Sequence, residues 1–167
     1  QGLYRTPQLE ELTSGLDPAW QADGVLVLST EVTAGPPLAL ALGTSWAGRY
    51  PHLWPIPGAL GARAATDCAT APGKCARLTG ILARVRQDII TDIETRRPDL
   101  LIFDRGYGFI GDQSFTWDGF MAPAADWQAI LRDYRPAPAP RSRHFDIWLR
   151  CTGTTGAMAQ GCAGPAE

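Results

Sequence analysis

Two short runs of uninterrupted apolar residues, Val25–Leu28 and Leu100–Phe103, constrain this chain more than anything else in it. A strand with no polar position has no face to give to water, so each run predicts a strand covered on both sides. Between them lies the clearest helical signal, from about Ala76 to Arg96, with Leu78, Ile81, Leu82, Val85, Ile89 and Ile93 at helical spacing on one face. Pro98 disfavours helical geometry at Arg97 and so ends the helix. Strand, helix and strand in this order predict a right-handed crossover and a parallel pair. The expected fold is therefore α/β: a small, mainly parallel open sheet, half of a Rossmann-like unit, with flanking helices. The long helix carries Arg84, Asp88, Asp92 and Arg96 at successive i,i+4 steps on its other face, the pattern of solvated charge pairing.

Weaker signals fill in the remainder. Thr6-Pro7 opens a short helix to about Gly15 through Leu9 and Leu12, and Pro36-Pro37 opens another through "LALAL" to Gly43. Three prolines and Trp54 make residues 50–57 an irregular packed loop, and the Ala/Gly-rich stretch 58–73 reads as a surface excursion. Trp127, Ile130, Leu131 and Tyr134 predict a second helix, after which Pro136, Pro138 and Pro140 exclude a central strand. Phe145, Ile147 and Leu149 then alternate with Asp146, Trp148 and Arg150. This last strand has one core face and one partly wet face, and its amphipathic pattern places it at a sheet edge. Residues 1–150 form one expected domain; residues 151–167 are a Gly/Thr/Ala-rich tail, loose unless Cys162 ties it back.

At 167 residues the chain buries enough surface for a core without staples. A net charge of -2, with a single lysine and no basic cluster, leaves no field for a polyanion, so nucleic-acid binding is not expected. No apolar stretch approaches the roughly 20 residues of a membrane span. The chain starts at Gln1 without a charged-then-apolar leader, which reads as a processed form or a piece of something longer. The four cysteines fall as two near pairs, Cys68 with Cys75 and Cys151 with Cys162, each around a flexible loop. That suits disulfides in an oxidising compartment, local pairing being the simplest of three connectivities; free thiols or a metal site are the alternatives. Neither pair has a zinc-knuckle spacing, and His52 and His144 lie far from both, so no metal and no cofactor is expected.

Ligands of open parallel sheets bind outside the carboxyl ends of the strands. Those ends present Ser29, Thr30 and Glu31 after the first strand and Asp104 and Arg105 after the second. If the strands are adjacent, Glu31 and Asp104 share one cleft with Arg49 or His52 from the aromatic loop, a set suited to a polar ligand such as a sugar or to acid/base work. The alternative is that Asp104 and Arg105 cap and pair locally while Glu31 is solvated. Trp46 and Trp54 are anchors, or aromatic contacts for a sugar or a membrane interface. Gly106, Gly108 and Gly111 spell G-x-G-x-x-G, but no helix opens behind them and no second strand ending in an acid follows, so a tight loop is expected rather than a dinucleotide site. Neither Ser29 nor Ser114 sits in a nucleophile elbow.

The stretches "VLVLSTEVTAGPPLALALGTSWAGRYPHLWPIPG", "RRPDLLIFDR" and "WQAILRDYRPAPAPRSRHFDIWLR" resemble the carboxyl-terminal soluble domain of bacterial multi-pass glycosyltransferase-like membrane proteins, of the dolichyl-phosphate-mannose and lipid-A-arabinose transferase superfamily. The resemblance spans Val25 to Arg150. It implies an accessory domain on the periplasmic face of the inner membrane, partnered by the membrane portion of its parent protein and by a glycan or lipid-linked sugar. The catalytic acids of that superfamily lie in its membrane portion, which uses a polyprenyl-phosphate sugar donor, so no catalytic residue is implied here. Arg49, Tyr50 and Trp54 match its loop without an assigned role. The Cys68 to Cys75 loop and the tail after Cys151 depart from it. Two other readings stand beside this one: a free-standing secreted hydrolase acting on a polar or carbohydrate substrate through Glu31 and Asp104, and a secreted disulfide-bonded interaction module.

Overall fold

The computed structural model describes residues 6–105, 108, 110, 114–138, 142–153 and 155–163. In chain order its elements are α1 (Pro7–Gly15), β1 (Gly24–Leu28), α2 (Pro36–Leu42), β2 (Ser45–Trp46), α3 (Pro55–Ala64), α4 (Pro72–Arg96), β3 (Leu100–Asp104), α5 (Trp117–Met121), α6 (Trp127–Leu131), β4 (Tyr134–Pro136), β5 (Phe145–Arg150) and α7 (Gly156–Cys162). The strands form one sheet in the order β2-β1-β3-β5-β4. β1 and β3 are parallel neighbours, paired from Val25 with Leu100 to Leu28 with Phe103, and every residue of both is buried. α4 leads into β3, but the connection from β1 is not the single helix expected: it first passes through α2 to β2, on the other side of β1, and then through α3.

Strand alternation divides the core in two. Leu26, Leu28, Leu101 and Phe103 face α3, α4, α5 and α6. Val25, Val27, Leu100 and Ile102 face the other way, with Phe145, Ile147 and Leu149 of β5, against α1, α2 and α7. Each such side chain contributes roughly 1.5–3 kcal/mol by burial, so a truncation at Leu101 touches several elements at once.

β5 is not the edge strand its amphipathic pattern suggested. It lies antiparallel to β3 on one side and to β4 on the other. The true edge is β4, too short and too rich in proline for sequence periodicity to register. Pro136 has no N–H to give a ladder, and an edge is where that is tolerated. Tyr134, expected at the end of a helix, instead begins β4, and its buried hydroxyl donates to the carbonyl of Pro98 at 2.7 Å.

The helices follow their start and stop signals. The Thr6 side chain accepts from the N–H of Leu9, and α2 ends on Gly43 at φ 65°, a left-handed position suited to glycine. α4 buries Leu82, Val85, Ile89, Ile90 and Ile93, whereas Ile81, expected on that face, is 43% exposed. It stops where Pro98 requires: Arg97 takes φ 44°, and its N–H closes on Ile93 at 2.8 Å. α3 begins in the expected packed loop, where it buries Ile56, and runs into the stretch expected as a surface excursion, where it buries Ala59. α5 is pinned to α4 by Arg86, which donates to the carbonyl of Phe120 and lies over its ring at 4.6 Å; burial lowers the Arg86 pKa below its ordinary value.

Both cysteine pairs are disulfides, Cys68 with Cys75 and Cys151 with Cys162. The second converts the expected loose tail into a packed element, because it ties the end of β5 to α7, whose Met158 is buried beside β5. Replacing Cys151 and Cys162 together by serine is expected to cost about 2–3 kcal/mol in urea denaturation. Amide exchange should quicken in α7 while β1 and β3 keep their protection; an unchanged midpoint would show that the bridge adds nothing to a helix already packed.

Candidate functional site

β1 leads away to β2 on one side, and β3 leads to β5 on the other. The crevice in which open α/β sheets place their ligands therefore falls between the carboxyl ends of β1 and β3. Here it is closed by the chain itself. Ser29 Oγ donates to Asp104 Oδ2 at 2.6 Å and accepts from the N–H of Glu31 at 2.8 Å. Leu53 N–H donates to the carbonyl of Ser29, and the Trp54 indole to that of Thr30, at 2.9 and 2.8 Å. A Cβ on Gly108 would stand 2.8 Å from Thr30 Oγ1, so Gly108 lies directly on the strand end, where a side chain would force Thr30 to shift. Ser29, Thr30 and Asp104 are 2%, 0% and 7% exposed. Gly106 and Gly111 of the glycine pattern lie outside the described residues.

Glu31 turns away from this closure. Its carboxylate accepts from the N–H and hydroxyl of Thr33 at 2.5 and 2.7 Å. It meets Asp104 through Ser29 by way of its backbone, so the two acids do not face each other across an open cleft.

The aromatic loop between β2 and α3 is held by α4. Arg49 gives its N–H and Nε to Asp92 at 2.8 and 3.1 Å and its Nη1 to Asp88 at 2.6 Å, while the Tyr50 hydroxyl donates to the other oxygen of Asp88. The two aspartates expected to pair with arginines along their own helix instead clasp a loop about forty residues upstream. Asp92 is only 5% exposed. The hydrogen bond to Asp92 raises the Arg49 pKa, with the charges of Asp92 and Asp88 adding to it; the hydrogen bond to Asp88, then burial, raises that of Tyr50. Arg49 and Tyr50 are thus loop fasteners. Trp46 packs against both core clusters, and its buried indole N–H has no partner among the described residues. His52 lies against Trp54, ring centres 4.4 Å apart, and Trp54 stays 52% exposed.

The open site is displaced sideways, onto the wet face of β5. A cleft of about 670 Å³ runs between Asp146 and Trp148 on β5 and the segment that carries Phe115, α5 and α6. Its walls are aromatic: Phe103 meets Trp127 and Trp148 edge-on at 6.0 and 5.9 Å, and Phe115 meets Trp117 at 5.1 Å. The indole N–H groups are spent inside the walls, Trp117 on the carbonyl of Asp104 and Trp127 on Asp118, at 2.9 and 2.8 Å. The rim is polar, with Thr116, Asp118, Gln128, Asp146 and Arg105. Arg105 is committed to Asp146 at 3.3 Å and to the carbonyl of Arg143 at 3.2 Å. That carbonyl is positioned in turn by Glu11, whose carboxylate accepts from Ser142 Oγ, Arg143 N and His144 N at 2.7, 2.6 and 2.8 Å and meets His144 Nδ1 at 2.8 Å.

Of the residues singled out from sequence, Asp104 and Arg105 line this cleft. Glu31, Arg49, His52, Trp46, Tyr50 and Trp54 do not. Sequence reasoning passed over Phe115, Trp117, Asp118, Asp146 and Trp148 as ligand contacts; the available signal was the polar alternation of β5. Both histidines are engaged, one against Trp54 and one with Glu11, and the one described serine–carboxylate contact at the strand ends is shut from solvent. No group of acids, histidines or cysteines among the described residues fits a metal ion.

Replacing Asp92 by alanine leaves the Arg49 backbone N–H and Nε without their acceptor and is expected to cost about 1–3 kcal/mol by chemical denaturation. Asp88→Ala, at a more exposed carboxylate, is expected to cost less. Alkaline titration tests the phenols. Tyr50 and Tyr134 both have pKa values raised in the folded chain, Tyr134 chiefly by burial. Their contribution is therefore complete below the unfolded value of about 10 and is lost as pH climbs through the folded values. Denaturation midpoints should hold level from pH 8 to about pH 10 and fall above it, and Tyr134→Phe should flatten that fall.

No family model, curated protein or solved structure matches this chain.

Proposed function

We propose that the chain is a non-catalytic, extracytoplasmic domain that holds the saccharide acceptor of a membrane glycosyltransferase using a polyprenyl-phosphate sugar donor. One observation carries the reading: the accessible cleft has aromatic walls and a carboxylate rim, while the crevice where an α/β enzyme would place its chemistry is filled by the chain's own loops. The two disulfides fit an oxidising compartment, in which such bonds persist. The residue stretches that resemble the soluble domains of such transferases build β1, β3, β4 and β5, the frame on which the cleft stands. The hydrolase reading needs Glu31 and Asp104 to meet a substrate. One is folded onto Thr33 and the other is buried behind Ser29.

The test uses the native gene product. Its reading frame should encode several apolar spans of roughly 20 residues besides this domain. Deleting residues 1–167 from that protein should raise KM for the acceptor and leave KM for the lipid-linked donor unchanged. A frame without such spans, or glycoside turnover by the isolated domain, would refute the proposal.

A further inference from the structure

The walls of the cleft restrict what it can hold, and this inference rests on the binding reading above. We infer that the cleft between β5 and α5–α6 is a subsite for an uncharged pyranose, with Trp148 and Phe115 as the stacking surfaces and Asp118 and Asp146 as hydroxyl acceptors.

Three properties on the page lead there. First, Trp148 and Phe115 are the half-buried aromatics of the lining, whereas Trp117 and Trp127 are packed to 6% and 1% exposure. A half-buried ring offers a flat apolar surface inside a polar rim, which matches the carbon–hydrogen face of a sugar ring better than a fully apolar guest. Second, the indole N–H groups of Trp117 and Trp127 are already bonded within the walls, to the Asp104 carbonyl and Asp118. With those N–H groups spent, the charged recognising atoms of the rim are the remaining carboxylate oxygens of Asp118 and Asp146, beside Gln128 and Thr116, and such acceptors suit a guest rich in hydroxyl donors. Hydrogen bonds from hydroxyls to ionised carboxylates are among the stronger neutral-to-charged contacts.

Third, the charge balance opposes an anion. Among the described lining residues that reach solvent, Asp118 and Asp146 stand against Arg105, and Arg105 is already drawn to Asp146 and the Arg143 carbonyl. A phosphate, sulfate or uronate entering the cleft would meet like charge and, among the described residues, no uncommitted cation. The volume, about 670 Å³, falls in the range of small-molecule sites. The walls are also fixed before any guest arrives: α5 is anchored through Arg86, and the turn that enters β5 through Glu11. A site that needs no ordering on binding loses less affinity to entropy.

The experiment is a chemical-shift titration of the isolated, disulfide-intact domain with a panel of neutral hexose tetrasaccharides and with an oligogalacturonate of equal length. Saturable shifts of the Trp127 and Trp148 indole signals with at least one neutral member, and much weaker response to the uronate, support the inference. Trp148→Ala should weaken that binding about tenfold. Because Trp148 also packs on Phe103, Asp118→Asn and Asp146→Asn serve as second variants that keep the packing, each expected to lose roughly threefold to tenfold with the spectrum otherwise native. No response to any neutral sugar, a preference for the uronate, or shifts centred on Trp54 instead of the cleft would overturn it. Should the cleft bind nothing while deletion of the domain still raises the acceptor KM, this inference fails and the accessory role stands; sugar binding in a protein whose reading frame lacks membrane spans separates the two in the other direction.

Discussion

The β1–β3 pair governs the rest of the structure. Both strands are buried on both faces, so neither can lie at an edge or face water, and each must be flanked by another strand and roofed by helices above and below. Alternation then sends Leu26, Leu28, Leu101 and Phe103 to one layer and Val25, Val27, Leu100 and Ile102 to the other. Polar residues have no place along these strands and collect where they end. Ser29, Thr30 and Asp104 are at the switch point because the pair leaves them nowhere else.

Once there, they are used for closure. Buried or half-buried carboxylates join parts of the chain that lie far apart in sequence: Asp104 with Ser29, Asp92 with Arg49, Asp99 with Arg150 and the N–H of Asp23, and the half-buried Glu11 with the turn at 142–144. Asp92, Asp99 and Glu11 take up backbone N–H groups of these loops, and Asp104 the Ser29 hydroxyl; a buried donor left without its acceptor costs about 1–3 kcal/mol. A carboxylate accepts at two oxygens, and here both are often taken by different donors, as Asp92 and Glu11 show. The described residues of the loops after β1 and β2 are therefore tied back to the strands and to α4, while Val32 and Trp54 stay outward.

What could be read from the residues alone follows from this division. The uninterrupted apolar runs and the 3.6-residue period of α4 are local patterns, and β1, β3, their parallel pairing, the Pro98 stop and the near pairing of cysteines were legible from them. Asp88 and Asp92 were not, since an i,i+4 charge pattern looks the same whether its acids meet solvent or grip a distant loop. β5 was read as an edge because its outer neighbour is three residues long and ends in proline. α3 hid in an Ala/Gly-rich stretch whose helical propensity is overridden by no strong period. The cleft left the faintest trace: its walls come from residues 103–105, 115–131 and 146–148, three segments brought together by β3–β5 pairing, and only the polar positions of β5 hinted at an uncovered face.

The antiparallel half of the sheet is what makes an open site possible at all. On the parallel half, the connections from β1 into α2 and from β2 into α3 return across the strand ends, and their loops supply the atoms that seal Ser29, Thr30 and Asp104. β5 runs the other way, so its start lies beside the end of β3 and brings Asp146 level with Phe103. The short helices α5 and α6 cover part of that face and stop short of Asp146 and Trp148, which remain half exposed. A crevice between parallel strands would have offered backbone N–H groups and helix starts to an anion. A recess beside an antiparallel strand offers alternating side chains instead, here Asp146 and Trp148 of β5.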